Sequence, residues 1–164
     1  MRNRDKKIGS FMVAVGAIIE LKGTNKILLT QRSDKAGIHE GEWEVMYGRI
    51  DQFEDLTDAL KREIFEETGL ENVKVKKLQR VWHIFRGEKH EDTEVYGFTF
   101  ICETDQKEVK ISDEHYQYKW ADVNEALQLI KVPGIHKDIE IYKNEREKIG
   151  PIIISDINGT ETFF

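Results

Sequence analysis

The sequence predicts one α/β domain in which a mixed β-sheet is covered by helices. Its 164 residues, of which 39% are hydrophobic, are enough for a single buried core. Segments rich in β-forming residues alternate with helical segments, and no internal repeat or low-complexity linker divides the chain. We place the domain at residues 11–149, between an N-terminal tail at residues 1–10 and a C-terminal tail at residues 150–164.

The first half of the chain predicts three strands ahead of the first helix. Residues 11–21 and 27–31 are rich in β-forming residues and are joined by the polar residues 22–26, which is typical of a hairpin. Residues 33–42 are polar and contain two glycines, so they predict a loop. Residues 43–50 predict a short third strand.

The clearest helix is predicted over residues 55–68. Apolar residues recur there at helical spacing, and Gly69 follows them as a C-terminal cap. Residues 73–86 and 94–103 predict two longer strands around a charged loop, and residues 116–121 predict another strand.

The last third of the chain predicts two helices and a short strand. Asp122 caps a helix that runs to about residue 130. A more charged helix over residues 137–148 follows the helix breaker Pro133. Residues 152–154 predict an edge strand within the C-terminal tail.

The N-terminus resembles a signal peptide superficially, because basic residues precede an apolar stretch with a candidate cleavage site at residues 14–17. The basic residues are Arg2, Arg4, Lys6 and Lys7. We favour a solvated tail leading into a buried strand, because Asp5 interrupts the basic residues and the segment continues unbroken into residues 20–22. The single cysteine, Cys102, cannot form an internal disulfide, so we expect a cytoplasmic protein.

The charge balance argues against several classes of partner. Asp and Glu total 31 against 25 for Lys and Arg, which gives a formal net charge of −6. This balance disfavours a nucleic-acid polymer, whose binding depends on cations meeting phosphates. No apolar run approaches the roughly 20 residues that span a bilayer, so no membrane span is expected. A small phosphorylated ligand is not excluded, because a metal ion reverses the local sign of charge.

The helix at residues 55–68 carries carboxylates on its apolar stripe. At about 100° per residue, Leu56, Leu60, Glu63 and Glu67 share one line, and Glu66 lies beside it. A carboxylate near a protein interior is costly unless it is paired or coordinates a metal ion. Oxygen ligands suit a divalent cation such as Mg²⁺, Mn²⁺ or Ca²⁺. Helix geometry alone leaves both this interpretation and a solvated acidic face open.

Residues 48–70 decide between these two interpretations. Gly48 is followed after five residues by Glu54, and seven more residues lead to the run at residues 62–70. The specified positions of that run are Arg62, Glu63, Ile64, Glu66, Glu67, Gly69 and Leu70. This spacing resembles the Nudix box, and all nine specified positions match it.

A looser likeness to the family extends over residues 11–130. Residues 28–32 resemble the strand before the box that ends in a basic residue, and Trp43 stands where many members carry an aromatic. The chain departs from the family at Arg49 and Phe53, where members usually have glycine. These departures leave the metal chemistry intact and weaken any inference about substrate.

The resemblance implies a Nudix fold, a mixed β-sheet sandwiched between helices, and hydrolysis of a diphosphate bond by water attack at phosphorus. The implied substrate is a nucleoside triphosphate or a nucleoside diphosphate derivative, and the implied cofactor is Mg²⁺, with Mn²⁺ as an alternative. The implied metal ligands are Gly48, through its carbonyl oxygen, Glu63, Glu66 and Glu67. Glu63 is the first candidate for general base, and Glu114, where several members place a further glutamate, is the reserve. Arg62 would orient the carboxylates, and Glu54 would anchor the loop.

Contacts to the substrate are predicted from three residues, each with an alternative. Arg32 and Arg49 would meet phosphates or else lie exposed to solvent. Trp43 would stack on a base or else pack in the core. The partner is therefore expected to be a small nucleotide, and the tail leaves a homodimer open.

Two other functions remain as alternatives. One is an enzyme like isopentenyl diphosphate isomerase, which residues 28–35 resemble, although that reaction needs a cysteine ahead of the box and Cys102 lies far after it. The other is a catalytically inactive nucleotide-binding Nudix module, in which the glutamates of the box are typically eroded.

Overall fold

The computed structural model of the protein describes residues 10–37 and 39–145, together with the backbone of two short strands at residues 153–155 and 161–163. These residues form the strands β1 (Met12–Leu21), β2 (Lys26–Arg32), β3 (Trp43–Glu44), β4 (Met46–Arg49), β5 (Lys74–Phe85), β6 (Glu94–Thr104), β7 (His115–Asp122), β8 (Ile153–Ser155) and β9 (Glu161–Phe163). They also form the helices α1 (Leu56–Thr68), α2 (Val123–Leu129) and α3 (Pro133–Glu145).

Strand β1 is the centre of a mixed sheet. It pairs in parallel with β6 along its whole length, from Met12 beside Val95 to Leu21 beside Thr104. On its other side it pairs antiparallel with β2 at one end and with β4 at the other. Beyond β6 the sheet continues through β5, β8 and β9, while β2 also pairs with β3 and β7. Strands β2 and β4 therefore lie along the same edge of β1, with β4 beside its first half and the start of β2 beside its last residues.

The two faces of the sheet pack against different helices, because alternate residues of a strand point to opposite sides. Val15 and Ala17 of β1 are fully buried in a cluster with Leu60 of α1. Ile18 is fully buried in a second cluster with Ile139 of α3. Burial of one such Leu or Ile side chain contributes about 1.5–3 kcal/mol to folding. The sheet thus lies between α1 and the pair α2–α3, and the predicted α/β/α fold is confirmed.

Three elements differ from the sequence prediction, and one of them is β9 (Glu161–Phe163), which was not predicted. The single strand expected at residues 43–50 is divided at Val45, because Glu44 pairs with Thr30 of β2 whereas Met46 pairs with Ala17 of β1. The chain changes its partner strand at this point.

Helix α3 begins at Pro133, four residues earlier than expected. The sequence predicts that Pro133 precedes the helix as a breaker, but the fixed φ and the missing N–H of proline suit the first helical position. The predicted end of this helix, at residues 146–148, lies outside the described residues.

The apolar stretch near the N-terminus forms β1, as the strand interpretation expected. The basic residues that raised the signal-peptide interpretation lie outside the described part of the chain. Within the described part, no helix is long and apolar enough to cross a membrane.

A buried polar network ties α3 to the sheet beside β4. Asp138 is 1% exposed, and its carboxylate accepts from Arg80 Nη1 at 2.7 Å, Tyr47 Oη at 2.5 Å and Thr99 Oγ1 at 3.1 Å. Trp82 Nε1 in turn donates to Thr99 Oγ1 at 3.0 Å. A buried ion pair of this kind is costly to break, because the remaining charge is left without compensation. The network therefore fixes where Tyr47 lies, one residue before Gly48.

We expect Asp138→Ala to lower the free energy of unfolding by about 3–5 kcal/mol, because it removes the buried carboxylate that accepts from Arg80, Tyr47 and Thr99. Urea denaturation followed by circular dichroism measures this change. The matched control is Asp105→Ala at an exposed position, for which we expect a change within about 0.5 kcal/mol. Equal stabilities for the two variants would contradict a structural role for the network.

Candidate active site

Helix α1 lies against β4 so closely that only glycine fits at position 48. A Cβ atom there would overlap the carboxyl group of Glu63. The same carboxylate accepts the backbone N–H of Arg49 at 3.0 Å. The helix ends at Gly69, whose left-handed backbone (φ 64°) lets its N–H reach the carbonyl of Phe65 at 2.8 Å. Gly48 and Glu63 are therefore brought together by the packing of one helix on one strand.

Arg62 connects three carboxylates and the loop before the helix. Its Nε and Nη2 donate to the two oxygens of Glu54, both at 2.8 Å. Its Nη1 donates to Glu63 Oε1 at 2.9 Å and to Glu66 Oε2 at 3.1 Å. Nη2 also donates to the carbonyl oxygen of Arg49 at 3.0 Å. The planar guanidinium group suits this forked arrangement.

Glu54 closes the loop that leads into α1. The Arg62 guanidinium holds the pKa of the Glu54 carboxyl at about 2, helped by a hydrogen bond from the backbone N–H of Asp51. That N–H lies 3.0 Å from Glu54 Oε2. The charged form is therefore the one that the surroundings stabilise, and Glu54 acts as a fixed anchor between Arg62 and the loop.

Glu67 lies in a different environment, on the next turn of α1. Burial, together with the charges of Glu44, Glu63 and Glu114, raises the pKa of its carboxyl to about 9, and the charge of Arg32 acts in the opposite direction. Among the described residues, its side chain has no hydrogen-bond or ion-pair partner. A carboxyl group that is buried beside other carboxylates is stabilised by a cation. Oxygen donors of this type suit a hard divalent cation such as Mg²⁺.

The four predicted metal ligands lie on adjoining turns of α1 and on the neighbouring strand, but they do not form a closed cage. No group of three or more His, Cys, Asp or Glu side chains in the described ranges is arranged to hold a metal ion. Two of the carboxylates, Glu63 and Glu66, are bound to Arg62, and Glu66 is the more exposed of the two. The residue types fit a divalent cation. Arg62 binds Glu63 through Oε1 and Glu66 through Oε2, which would leave the other oxygen of each carboxylate to bind the ion.

Glu44 is a buried carboxylate near the site that the sequence interpretation missed. It is 6% exposed in β3, and Arg32 Nη1 donates to its Oε1 at 2.7 Å. His115 Nε2 lies 3.4 Å from the same oxygen. In the sequence, Glu44 is an acidic residue inside the strand predicted at residues 43–50, and this was the only available signal. In the structure it pairs with Thr30 of β2, two positions before Arg32 at the end of that strand. Its partners come from distant parts of the chain.

The predicted substrate-binding residues do not share one location. Arg32 is engaged by Glu44 and by the carbonyl of Ala36. Trp43 packs against the cluster under α2 and α3, across the sheet from the glutamates. The backbone N–H of Arg49 donates to Glu63 and its carbonyl accepts from Arg62, whereas its side chain is exposed.

Glu114 is exposed in the segment before β7. Its backbone carbonyl accepts the N–H of Ser33 at 2.8 Å, which fixes this segment beside the end of β2. Its charge acts on Glu67, so the structure brings the reserve general base to the edge of the site.

The comparisons with known proteins agree with this geometry. The sequence model of the NUDIX domain matches residues 10–140. The chain is 32% identical over 101 residues to the nucleoside triphosphatase NudI of Escherichia coli O17:K52:H18, covering 57% of this chain and 70% of that protein. It is 24% identical over 152 residues to the RNA pyrophosphohydrolase of Pelagibacter ubique, covering 83% of this chain and 90% of that protein.

Among solved structures, the NUDIX hydrolase from Nitrosomonas europaea superposes with a TM-score of 0.75 at 22% identity, covering 92% of this chain and 81% of that one. The protein belongs to the NUDIX family. It is a Nudix-type pyrophosphohydrolase by class, so the predicted family and enzyme class are confirmed. Nudix enzymes generally use divalent metal ions, in agreement with the donor set on α1.

Phe53 is an unusual residue in the loop before α1. Its backbone is left-handed (φ 71°), and the residue is 98% exposed. This conformation costs a residue with a Cβ about 1–2 kcal/mol, which glycine avoids. Glu54 follows it directly, so the bonds to Arg62 hold the loop in this shape.

We expect Phe53→Gly to raise the free energy of unfolding by about 0.5–1 kcal/mol, because the relief of the left-handed backbone exceeds the entropy that glycine gains in the unfolded chain. Thermal and urea unfolding measure the change. Phe53→Ala is the matched control, since it removes the exposed ring and keeps the left-handed penalty. A gain in both variants would assign the effect to the ring and contradict the backbone explanation.

Proposed function

We propose that the protein hydrolyses a diphosphate bond in a nucleoside triphosphate or a nucleoside diphosphate derivative, with Mg²⁺ as its cofactor and Mn²⁺ as an alternative. The observation that supports this most is the position of Glu67. It is a half-buried carboxyl that forms no ion pair in the described residues, on the turn of α1 that follows Glu63. Such a group favours a bound cation, and the reaction needs one.

Four groups would hold the cation: the carbonyl oxygen of Gly48 and the carboxylates of Glu63, Glu66 and Glu67. A bound divalent cation neutralises phosphate charge and lowers the pKa of coordinated water. The close packing at Gly48 supports this assignment, because it keeps the strand backbone beside the Glu63 carboxylate. The contribution of the chain is to hold several oxygen donors on one rigid helix turn.

Proton transfer from the attacking water is assigned to Glu63, with Glu114 as the second candidate. Glu63 is supported by its two fixed hydrogen bonds, from Arg62 and from the Arg49 backbone, which set the direction of its carboxylate. Arg62 and Glu54 are positioning residues in this proposal, because they act on the reaction through Glu63 and the loop.

The proposed substrate is a small nucleotide rather than a nucleic-acid polymer. The net charge of −6 supports this, since binding along a polymer depends on an extended set of cations. The relative NudI is named a nucleoside triphosphatase, and the Pelagibacter relative is named for RNA. Arg49 is the proposed phosphate contact with an exposed side chain, whereas Arg32 and Trp43 would have to leave their present partners.

Two observations disfavour the isomerase alternative, and one disfavours an inactive module. Cys102 is fully buried in the cluster under α1, and burial raises the pKa of its thiol to about 12. Such a thiol is a poor proton donor or nucleophile. All four carboxylates of the box are present, and Arg62 binds three of them, Glu54, Glu63 and Glu66. The single unpaired cysteine also supports the proposed cytoplasmic location.

The first test is the release of nucleoside monophosphate or pyrophosphate from a panel of nucleotides, sugar nucleotides and a 5′-triphosphorylated RNA, with and without Mg²⁺. We expect metal-dependent hydrolysis of a small nucleotide and a loss of about 100-fold in Glu66→Gln, because a ligand carboxylate is removed. The control Glu71→Gln makes the same change just beyond α1 and should leave the rate unchanged. A wild-type protein inactive on every substrate, or an equally active Glu66→Gln, would refute the proposal. RNA as the preferred substrate would refute the choice of a small nucleotide.

The second test concerns the positioning role of Arg62. We expect Arg62→Lys to lower kcat about tenfold or more with a smaller effect on KM, because one ammonium group cannot serve Glu54 and Glu63 together. Steady-state kinetics and urea unfolding of the same variant separate the loss of rate from a loss of stability. The control is the reverse change one position earlier, Lys61→Arg, at an exposed site. An unchanged kcat in Arg62→Lys would show that the forked arrangement is dispensable.

A further inference from the structure

Two arginine side chains in the described part of the chain lack a carboxylate partner. Arg32, Arg62 and Arg80 each form an ion pair, with Glu44, Glu54 and Asp138 respectively. Arg49 and Arg86, the other two arginines described, form none.

Arg86 extends across the sheet towards β1. It follows β5, and its backbone N–H donates to the carbonyl of Thr93 at 2.8 Å, so it continues the pairing with the β6 side. Its Nη1 lies 3.6 Å from Met12 Sδ of β1. Strand β6 lies between these two strands, so the side chains of Arg86 and Met12 together cover roughly 9–10 Å, two strand spacings.

Arg49 lies on the neighbouring strand and on the same face of the sheet. It pairs with Ala14 of β1, two positions along the strand from Met12, so the side chains of Arg49, Ala14 and Met12 point to one side. The contact with Met12 places the Arg86 guanidinium on that side as well. Partial burial and the charges of Arg49 and Arg32 lower the pKa of the Arg86 guanidinium, in agreement with this proximity.

We propose that Arg49 and Arg86 form a second anion site, which binds a phosphate group of the substrate away from the bond that is cleaved. This inference rests on the proposed function and narrows it to substrates with at least one phosphate beyond the diphosphate held at the glutamates. The backbone of Arg49 is bonded to Glu63 and Arg62, whereas its side chain alternates with Gly48 and points to the opposite face of β4. A substrate that reaches both sites would therefore pass the end of β4.

The chemistry of the pair suits a phosphate group. Two guanidinium groups offer several N–H donors in planar forks, which match phosphate oxygens in pairs. An anion between them also relieves the repulsion of two like charges. The neighbouring side chain of Met12 and the small Ala14 add no negative charge to this surface.

The direct test measures binding of inorganic tripolyphosphate by isothermal titration calorimetry in the presence of EDTA, so that the glutamates hold no metal ion. We expect the wild-type protein to bind, and Arg86→Gln and Arg49→Gln each to weaken binding about tenfold, a factor that corresponds to about 1.4 kcal/mol. Arg86→Lys should fall between the wild type and Arg86→Gln, because it keeps the charge and loses the fork. The control Lys131→Gln removes an exposed cation elsewhere and should bind as the wild type does. Equal binding by the wild type and both glutamine variants, or no binding by the wild type, would overturn the proposal.

A kinetic test separates this proposal from the proposed function. If the enzyme is active, Arg86→Gln should raise KM about tenfold for a nucleoside triphosphate and much less for a nucleoside diphosphate sugar, with kcat nearly unchanged for both. Equal changes in KM for the two substrates would refute the second site while leaving the hydrolase intact. If the wild-type protein were inactive but still bound tripolyphosphate, and the variants lost this binding, the second site would be supported and the proposed function refuted.

Discussion

One guanidinium group determines the arrangement of the site. Arg62 binds Glu54 in the loop, Glu63 and Glu66 on its own helix, and the backbone of β4. A lysine would supply the charge without the geometry, because its three donors lie on a single nitrogen. The carboxylates are therefore kept close together in spite of their repulsion. The left-handed Phe53 is part of the same constraint, since it lies in the loop that these bonds close.

Strand β4 contacts helices on both faces of the sheet through two consecutive residues, Tyr47 and Gly48. Gly48 faces α1 and allows the Glu63 carboxylate to approach, while Tyr47 faces α3 and donates to Asp138. Adjacent residues of one strand are thus fixed by helices on opposite faces. A displacement of α3 would move Tyr47 and, through one peptide unit, Gly48. Helix α3 can therefore affect the site although it contributes none of the site's glutamates.

Much of the fold and of the site could be predicted because it depends on local spacing. The sequence of α1 contains its own stripe, its cap at Gly69 and the positions of Glu63, Glu66 and Glu67. Glu44 could not be found in this way, because its partners Arg32 and His115 come from other strands. The same reason applies to the division of β3 from β4, which depends on which neighbouring strand is nearest. Non-local pairing has no signature at short range in one sequence.

The pairing of β1 with β6 also governs how the protein folds. These parallel neighbours are separated by about 80 residues of chain, so β1 leaves the ribosome long before its partner exists. Closing such a long loop must precede the contacts that stabilise it. Until then only one edge of β1 has partner strands, β2 and β4, and the other edge lies unpaired. The parallel half of the sheet is therefore completed only after β6 has been synthesised, whereas the strands on the other side of β1 and the helix α1 precede it in the chain.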